Sequence, residues 1–391
     1  MGNTDPESTV SSAASVVGIG RAPDDPDQHD VHPPGRSEDV SPPTAEARLG
    51  PVAADDGEGR ARPTMTDVAV AAGVSLKTVS RVVNDERGVR PETAALIRDA
   101  IDRLGFRRND MARALRSGQR TRTLGLVIED VSNPFYSAIT RGVEEVARRR
   151  GMLVIAGSSD EDPQRERELL HLLWERRVDG LLVVPTSDDH RYLLPELERG
   201  TRAVFIDRPP GKIDADVVLL DNTGGARAAV RHLLDHGHRR IATIGDEATI
   251  FTAIERLRGY REALEEAEVP IDPALIRLGA HDAGSAEVAV DDLLALRDPP
   301  TAIFTGNNRI TVGALHALAR GNRQVALVGF DDLELAELLS RPTTVVAYDA
   351  AEMGRQAAEL LVRRLAGDAT APQRLVLPAK LIARGSGELR P

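Results

Sequence analysis

The sequence predicts an α/β protein in which a small helical domain precedes a larger region built on two parallel sheets. Residues 66–84 carry the spacing of a helix-turn-helix. Beyond Thr123, strand-length apolar runs alternate with helical segments in two successive halves, a pattern typical of parallel sheets covered by helices. The first 62 residues are rich in Pro, Asp, Ser and Gly without sustained apolar periodicity, which predicts a disordered N-terminal tail.

Residues 1–62 form this predicted disordered tail. Their composition cannot bury enough apolar surface to offset the entropy lost on ordering. Two origins stay open, a functional tail and an extension produced by an overlong start assignment. The second is open because the pattern of a folded domain begins within a residue or two of Met65.

The helix-turn-helix pattern starts at Met65. Counted from there, Ala69 is fifth and Gly73 is ninth. A small residue at the fifth position lets two helices cross closely, and a glycine at the ninth permits the positive φ of a sharp turn. Ser75 then stands where an N-cap belongs. A small core between the helices is expected from four valines, Val68, Val74, Val79 and Val82.

The second helix of this pattern would present Leu76, Lys77 and Arg81 on its outer face, as a helix that fits the DNA major groove does. An ordinary helical hairpin would show much of the same pattern. The continuation favours the DNA-binding form, because residues 91–106 read as a third helix with apolar side chains at helical spacing. We therefore assign residues 63–108 to a helix-turn-helix domain.

The distribution of charge agrees with that assignment, although the whole chain has a formal net charge of −11. Residues 1–62 contain 12 acidic and 5 basic side chains, whereas residues 63–122 contain 7 acidic and 12 basic ones. Phosphate contacts require local positive charge rather than whole-chain charge. Solvated arginines on a helical surface are the simpler explanation of the same excess.

Composition and motifs exclude several classes of protein. The 391 residues, with 41% apolar and 28% charged side chains, suit a soluble globular protein of two or three domains. No membrane-length apolar run and no secretory signal pattern occur, so we expect a cytoplasmic protein with no membrane partner. The absence of cysteine and of metal-ligand histidine spacing predicts no metal site and no cofactor. No GxSxG, HExxH, P-loop or dinucleotide fingerprint occurs, which argues against an enzyme.

The predicted strands and helices of the larger region fall into two halves. The strands of the first half are residues 124–128, 153–156, 180–184 and 203–206, and those of the second half are 240–244, 275–278, 302–305 and 325–329. The helices between them include residues 135–150, 164–177, 223–236, 253–267 and 308–320. Ligands of such folds bind outside the carboxyl ends of the strands.

Polar and aromatic residues cluster at those carboxyl ends. Carboxylates, amides and an arginine with a few aromatic rings suit hydroxyl-rich ligands, because each hydroxyl both donates and accepts a hydrogen bond. Simpler explanations exist, since Asp331 could form a turn and Arg256 could be a solvated helix charge. The candidates are Asp130, Phe135, Tyr136, Asp207, Arg256, Asn307 and Asp331.

Several ordered motifs make the chain resemble the LacI-type (lactose repressor-like) family of bacterial transcriptional regulators. They are DVA, AGVS and TVSRVVN in the helical domain, then NPF, RRVDG, GHRRIA, RLRGY and GFDD. The resemblance runs from about Pro63 to near the C-terminus. It implies a DNA-binding repressor with a periplasmic-binding-protein-like bilobed domain over residues 123–391, which binds an effector and forms a homodimer on a palindromic double-stranded operator. No heptad repeat follows the last strands, so we expect no tetramer.

The resemblance assigns roles within the DNA-binding region. Lys77 and Arg81 would contact base edges or nearby phosphates, and Leu76 a thymine methyl group. Thr78 and Asn84 would contact the DNA backbone. The remaining candidates in the helical domain are Thr66 and Ser75.

The resemblance further implies a hinge helix and linker over residues 109–122, formed only on DNA. Leu115 would be the wedge in the minor groove, with Asn109 and Ala112 as further contacts. Arg108 departs from the proline usual before the family's Asn109. A flexible linker is the alternative.

The effector implied by the resemblance is a small molecule, most simply a sugar. The chain would cross between lobes near Asp221, Tyr348 and Pro378. Tyr348 replaces the glutamine of many relatives and joins the effector candidates. A nucleoside is the alternative effector, because Phe135, Tyr136 and Tyr348 could stack a base. A transport-type binding protein with the same bilobed fold is the other alternative. Nothing in the residues fixes whether the effector induces or corepresses.

Overall fold

The computed structural model describes residues 63–107, 120–321 and 324–391. The tail over residues 1–62 and the predicted hinge contacts Asn109, Ala112 and Leu115 lie outside the described residues.

Within residues 63–107 the structure has three helices, α1 (Met65–Ala72), α2 (Leu76–Val83) and α3 (Pro91–Leu104). Thr64 caps α1 reciprocally, because its hydroxyl accepts from the Asp67 amide at 3.3 Å and its amide donates to the Asp67 carboxylate at 2.7 Å. Gly73 ends α1 with a φ of +64°, as its position predicts. The Ser75 hydroxyl accepts from the Thr78 amide at 3.2 Å, which confirms the predicted N-cap.

The helices enclose a small apolar core. Four side chains in it have no exposed surface, Val68, Val79, Ile97 and Ala100. Val74 and Val82, which were expected in the same core, are half-buried. The spacing of the valines therefore identifies the buried faces, and the third helix contributes as much to the core as the helical pair does.

The larger region contains two six-stranded sheets, each with its own set of helices. The first lobe is built from β1 (Thr123–Ile128), α4 (Pro134–Arg149), β2 (Leu153–Ser158), α5 (Pro163–Glu175), β3 (Gly180–Val183), α6 (Leu194–Glu198), β4 (Arg202–Ile206) and β5 (Asp216–Leu220). The second lobe follows with α7 (Asn222–Asp235), β6 (Ile241–Ile244), α8 (Phe251–Glu266), β7 (Ile276–Arg277), α9 (Ala283–Leu294), β8 (Ala302–Thr305), α10 (Asn308–Gly321), β9 (Ala326–Phe330) and β10 (Thr344–Ala347).

The chain returns to each lobe once more. Helix α11 (Ala350–Leu365) packs on α4 in the first lobe, β11 (Arg374–Leu377) joins the first sheet beside β5, and β12 (Lys380–Ile382) joins the second sheet beside β10. The crossings therefore fall near Asp221, Tyr348 and Pro378, as expected. One detail differs from the prediction of two parallel sheets, because β12 pairs antiparallel with β10.

The two lobes repeat one topology. The strand orders are β11-β5-β4-β3-β1-β2 and β12-β10-β9-β8-β6-β7, which correspond position by position. Asp207 follows β4 and Asp331 follows β9, with φ values of +68° and +71°. Each aspartate amide donates to the neighbouring strand, to Val218 O at 2.8 Å and to Val346 O at 3.0 Å. Both carboxylates are thereby held at the carboxyl edge of a sheet.

Candidate nucleic-acid and effector sites

Helix α2 presents a polar outer surface. Leu76 is 48% exposed, and Lys77 beside it is also exposed. The hydroxyls of Ser75 and Thr78 lie 2.8 Å apart at its start. Thr66 is exposed on α1. These positions suit groove and backbone contacts.

Arg81 is held by the turn that follows α2. Its guanidinium donates to the Arg87 carbonyl at 3.3 Å and lies 3.8 Å from the Glu86 carboxylate, with 43% of the side chain exposed. The Asn84 amide donates to Glu86 at 3.3 Å and to the Ser80 hydroxyl at 3.4 Å. A base contact by Arg81 would therefore exchange protein acceptors for DNA acceptors.

Arg256 occupies the centre of the second lobe's cleft edge. It lies near the start of α8, 8% exposed, and its Nε donates to Asn222 Oδ1 at 2.8 Å. The guanidinium also donates to the Gly306 carbonyl, lies 3.9 Å from Asp331 and stacks 3.9 Å from the Phe330 ring centroid. This network excludes the solvated-charge explanation, because the charge is buried and its donors are directed.

Asp331 links the strand end to two further elements. Its carboxylate accepts from the Asn308 amide at 3.0 Å and from the Tyr348 hydroxyl at 2.5 Å. Desolvation, followed by the charge of Asp331, raises the pKa of Tyr348 well above its ordinary value. Asp332 faces elsewhere and pairs with Arg384. The adjacent acids thus have separate roles, and only Asp331 belongs to the cleft.

Three aromatic rings bring the lobes together. Phe135 of the first lobe lies 4.8 Å from the Tyr136 ring and 5.8 Å from the Tyr348 ring, both edge-to-face. Tyr136 is 3% exposed, and its hydroxyl donates to Glu129 at 2.5 Å. The aromatic candidates therefore pack mainly on one another.

Polar contacts also join the two lobes. Asn308 donates to Asn133 Oδ1 at 2.8 Å, and both side chains are buried. Arg309 pairs with Asp130 and donates to the Ser132 hydroxyl at 3.1 Å. Hydrogen bonds from Ser132 lower the pKa of Asp130. Asp130 thus lies at the rim of the cleft as a cross-lobe partner.

Asn307 faces a polar group of the second lobe. Its amide donates to Asp246 at 3.3 Å, while its Oδ1 accepts from the Ile310 amide at 2.9 Å. His281 lies 3.1 Å from the other Asp246 oxygen, and that hydrogen bond raises the pKa of the histidine. Asn307 therefore serves as a helix cap and also faces the cleft side of the sheet.

The first lobe contributes a cluster that the sequence prediction missed. Arg208 donates to Glu161 at 2.9 Å, to Glu129 at 3.1 Å and to the Pro185 carbonyl at 3.1 Å. Burial, followed by the charge of Glu161, raises the pKa of Glu129 to about 7. The available signal was position near a strand end, since Glu129 directly follows β1, Glu161 lies three residues after β2 and Arg208 two residues after β4.

Asp207 lies between this cluster and the second lobe. It is 2% exposed, and burial raises its pKa, with the charges of Arg208 and Arg256 acting in the opposite direction. Its Oδ2 lies 3.6 Å from Arg208, and its Oδ1 has no hydrogen-bond partner among the described residues. Direct contacts thus link Arg256 to Asp331, Asp331 to Tyr348 and Tyr348 to Phe135. Asp207 adjoins this group through Arg208.

The described residues contain no group of three or more side chains that could hold a metal ion. Within the same ranges, no helix has the length and apolar character needed to cross a membrane.

Comparison with known proteins identifies the family. Residues 64–109 match bacterial regulatory proteins of the lacI family, and residues 230–387 match a periplasmic binding protein-like domain. The HTH-type transcriptional regulator CelR of Thermobifida fusca is 37% identical over 343 residues, 84% of this chain and 100% of CelR. The chain belongs to the lacI family of bacterial regulatory proteins.

Other lacI-family proteins agree over the same length. The ribose operon repressor of Escherichia coli (strain K12) is 35% identical over 329 residues, 83% of this chain and 99% of that protein. A lac repressor dimer bound to operator and the anti-inducer ONPF superposes with a TM-score of 0.74 at 25% identity, over 84% of this chain and 99% of the other. This lacI-family chain is therefore a helix-turn-helix transcription regulator and not an enzyme. The DNA-binding domain argues against a transport-type binding protein.

Proposed function

We propose that this regulator represses transcription by binding a palindromic operator as a homodimer, and that a sugar bound between its lobes changes its affinity for DNA. The observation that supports the effector site is the buried pair of Arg256 and Asp331, which Tyr348 joins to the aromatic contacts between the lobes. Relatives support the class, since one solved structure is a CelR–cellobiose complex, 35% identical with a TM-score of 0.62 over 83% of this chain and all of that one. A cytoplasmic location follows from a chromosomal target.

The DNA-reading residues are proposed from the exposed face of α2. Lys77 and Leu76 are accessible there, and Arg81 can reach outward once it leaves the Arg87 carbonyl. Asn84, Thr78, Ser75 and Thr66 complete the proposed surface. A bidentate contact of Arg81 with a base would contribute about 1–3 kcal/mol to binding.

Footprinting and affinity measurements test this surface. We expect a symmetric footprint, and we expect the Lys77→Ala and Arg81→Ala variants to bind the operator more weakly. Lys77→Ala should also reduce the salt slope by about one if it contacts a phosphate. Arg103→Ala, which removes an exposed arginine from α3, is the matched control. An asymmetric footprint would refute the assignment. Wild-type affinity in a variant that combines Lys77→Ala and Arg81→Ala would also refute it.

The hinge is proposed to form between the helical domain and the lobes over residues 109–122. Leu115 would insert in the minor groove, where unstacking costs a few kcal/mol that contacts on the bent DNA offset. Leu115→Ala should reduce both operator affinity and DNA bending. Unchanged bending would favour a flexible linker.

Sedimentation tests the oligomeric state. We expect a dimer at micromolar concentration, since the bilobed domain would supply the dimer contacts. A stable tetramer would contradict the proposal.

A thermal-shift screen of sugars and nucleosides on the full chain tests the effector site. Stabilisation by a sugar should be lost in Arg256→Ala and Asp331→Ala, because these side chains form the centre of the cleft. Arg258→Ala is the control, since this exposed arginine lies on the same helix and pairs with Glu255. A hit that survives both cleft substitutions would place the ligand elsewhere, and a hit found only among nucleosides would change the ligand class.

The regulatory effect is proposed to arise from closure of the lobes. A ligand shifts the equilibrium only by its differential affinity for the two conformations, and coupling of about 1–3 kcal/mol is usual. Operator affinity measured with and without the sugar gives both the size and the sign of the coupling free energy. Induction is our expectation, and tighter operator binding with the sugar would identify a corepressor.

A further inference from the structure

The first lobe groups three carboxylates around one arginine beside the aromatic contacts between the lobes. We use the name acidic wall for Glu129, Glu161, Asp207 and Arg208. The three carboxylates lie within 3.6 Å of the single guanidinium, to which they are 3.1, 2.6 and 3.6 Å distant respectively. All four side chains are largely buried, so water screens these charges weakly.

The behaviour of Glu129 is a consequence of this excess. Burial and the charge of Glu161 raise its pKa to about 7, even though Arg208 and the Tyr136 hydroxyl both act to lower it. One carboxyl of the wall is therefore close to carrying a proton at neutral pH. The carboxylates of the acidic wall therefore already repel one another.

A second observation is that the acidic wall contains a buried acceptor without a donor. Asp207 Oδ1 is buried and has no hydrogen-bond partner among the described residues. Asp207 adjoins the contacts between the lobes through its neighbour Arg208, whose guanidinium lies 3.3 Å from the Tyr136 hydroxyl. The Tyr136 ring contacts Phe135, which in turn contacts Tyr348. A buried acceptor without a donor is costly unless a bound group supplies one.

Two arginines near the wall are already occupied, whereas Arg208 has one buried donor, Nε, without a hydrogen-bond partner among the described residues, although three carboxylates surround its guanidinium. Arg256 is committed to Asn222, the Gly306 carbonyl and Asp331, and Arg309 is committed to Asp130 and Ser132. An anionic ligand beside the acidic wall would therefore meet carboxylates without gaining a free arginine from these two positions. A hydroxyl or an ammonium group would instead donate to Asp207 and its neighbours.

We propose that the effector is an uncharged or amine-bearing polyol, and that the acidic wall excludes phosphorylated and carboxylated sugars. This inference rests on the proposed function and specifies its ligand class.

Calorimetric titration of the full chain at neutral pH tests the proposal with matched ligands. The probes are glucose, glucosamine, glucose 6-phosphate and glucuronate, the corresponding forms of galactose, and ribose with ribose 5-phosphate. We expect the uncharged or amine form of the scaffold that binds to have at least a tenfold lower Kd than its anionic forms, which corresponds to about 1.4 kcal/mol. Glu129→Gln and Glu161→Gln should reduce this ratio, whereas Glu144→Gln, an exposed acid on α4, should leave it unchanged.

The outcomes separate the two proposals. Tighter or equal binding of an anionic form to the wild-type chain would overturn the exclusion while leaving a sugar effector in place. Binding of no sugar in this series, together with no sugar hit in the thermal-shift screen, would overturn both. An unchanged ratio in the folded Glu129→Gln and Glu161→Gln variants would show that the acidic wall is not its cause. The wild-type comparison decides the ligand class even if a variant fails to fold.

Discussion

At the scale of single residues, Glu129 links folding to pH. Its pKa is raised from 4.5 to about 7, so its stabilising contribution is complete below pH 4.5 and is lost as pH rises through 7. We expect the unfolding free energy of the wild-type chain to fall over this window relative to Glu129→Gln, by at most about 1.4 kcal/mol per pH unit. Urea unfolding of both proteins at several pH values measures the difference. Parallel pH profiles would contradict it.

Glu166 is a buried carboxylate away from the cleft, and its pKa is lowered where that of Glu129 is raised. This carboxylate is 1% exposed and accepts from Tyr192 at 2.6 Å, from His190 at 2.8 Å and from the Thr186 amide at 2.7 Å. Glu166→Ala should lower the unfolding free energy by about 3–5 kcal/mol, since it leaves buried partners unpaired. Glu168→Ala removes an exposed neighbour and should have little effect in the same chemical unfolding measurement.

The residues of the cleft show what a single sequence can predict. Asp207, Arg256 and Asp331 were selected because strand ends and one motif marked them, and they do lie together. Glu161 was not among the predicted site residues. Its neighbour Asp160 points outward and pairs with Arg165. Which of two adjacent acids faces inward depends on the backbone, and both Asp160 and Glu161 have positive φ. Strand periodicity contains no information on such a turn.

At the scale of elements, two helices of the first lobe approach each other backbone to backbone. A Cβ atom on Gly142 of α4 would overlap the Ala351 carbonyl, and one on Gly354 of α11 would overlap the Ile139 carbonyl. Gly354→Ala should therefore destabilise the protein by about 1–3 kcal/mol through overpacking.

Thermal or chemical unfolding checks this prediction against Gly284→Ala. A Cβ there would have its nearest neighbour at 3.5 Å, so the substitution should be neutral or slightly stabilising. Equal stability of the Gly354 and Gly284 variants would show that α4 and α11 can separate without cost.

The elements themselves were largely predictable, because buried parallel strands read as short apolar runs. The run 302–305 coincides with β8, and most other boundaries differ by one or two residues. Strand β7 is shorter than expected, since residues 273–275 form a 3-10 turn that begins at Pro273. The antiparallel pairing of β12 depends on how the chain returns to the second lobe, and apolar spacing does not record direction.

At the scale of the whole bilobed domain, the contacts between lobes favour closure. Arg309→Ala would remove the pair with Asp130 and the bond to Ser132 while leaving the buried Asn308–Asn133 bond in place. We expect the open conformation to gain population and the affinity for the effector to fall, with the unfolding free energy little changed. Small-angle scattering and calorimetry measure both effects. Unchanged affinity and dimensions would show that this pair does not bias closure.

The repeated crossing of the chain has a consequence for biosynthesis. The helical domain is complete once residue 107 has been made, but the first lobe still lacks α11 and β11, and the second lobe lacks β12. The first sheet gains its last strand only at residues 374–377 and the second sheet only at residues 380–382. In the nascent chain the β5 edge of the first sheet therefore stays unpaired from residue 220 until β11 begins at residue 374. The β10 edge of the second sheet waits only from residue 347 to residue 380, so that the last few dozen residues complete both lobes almost at once.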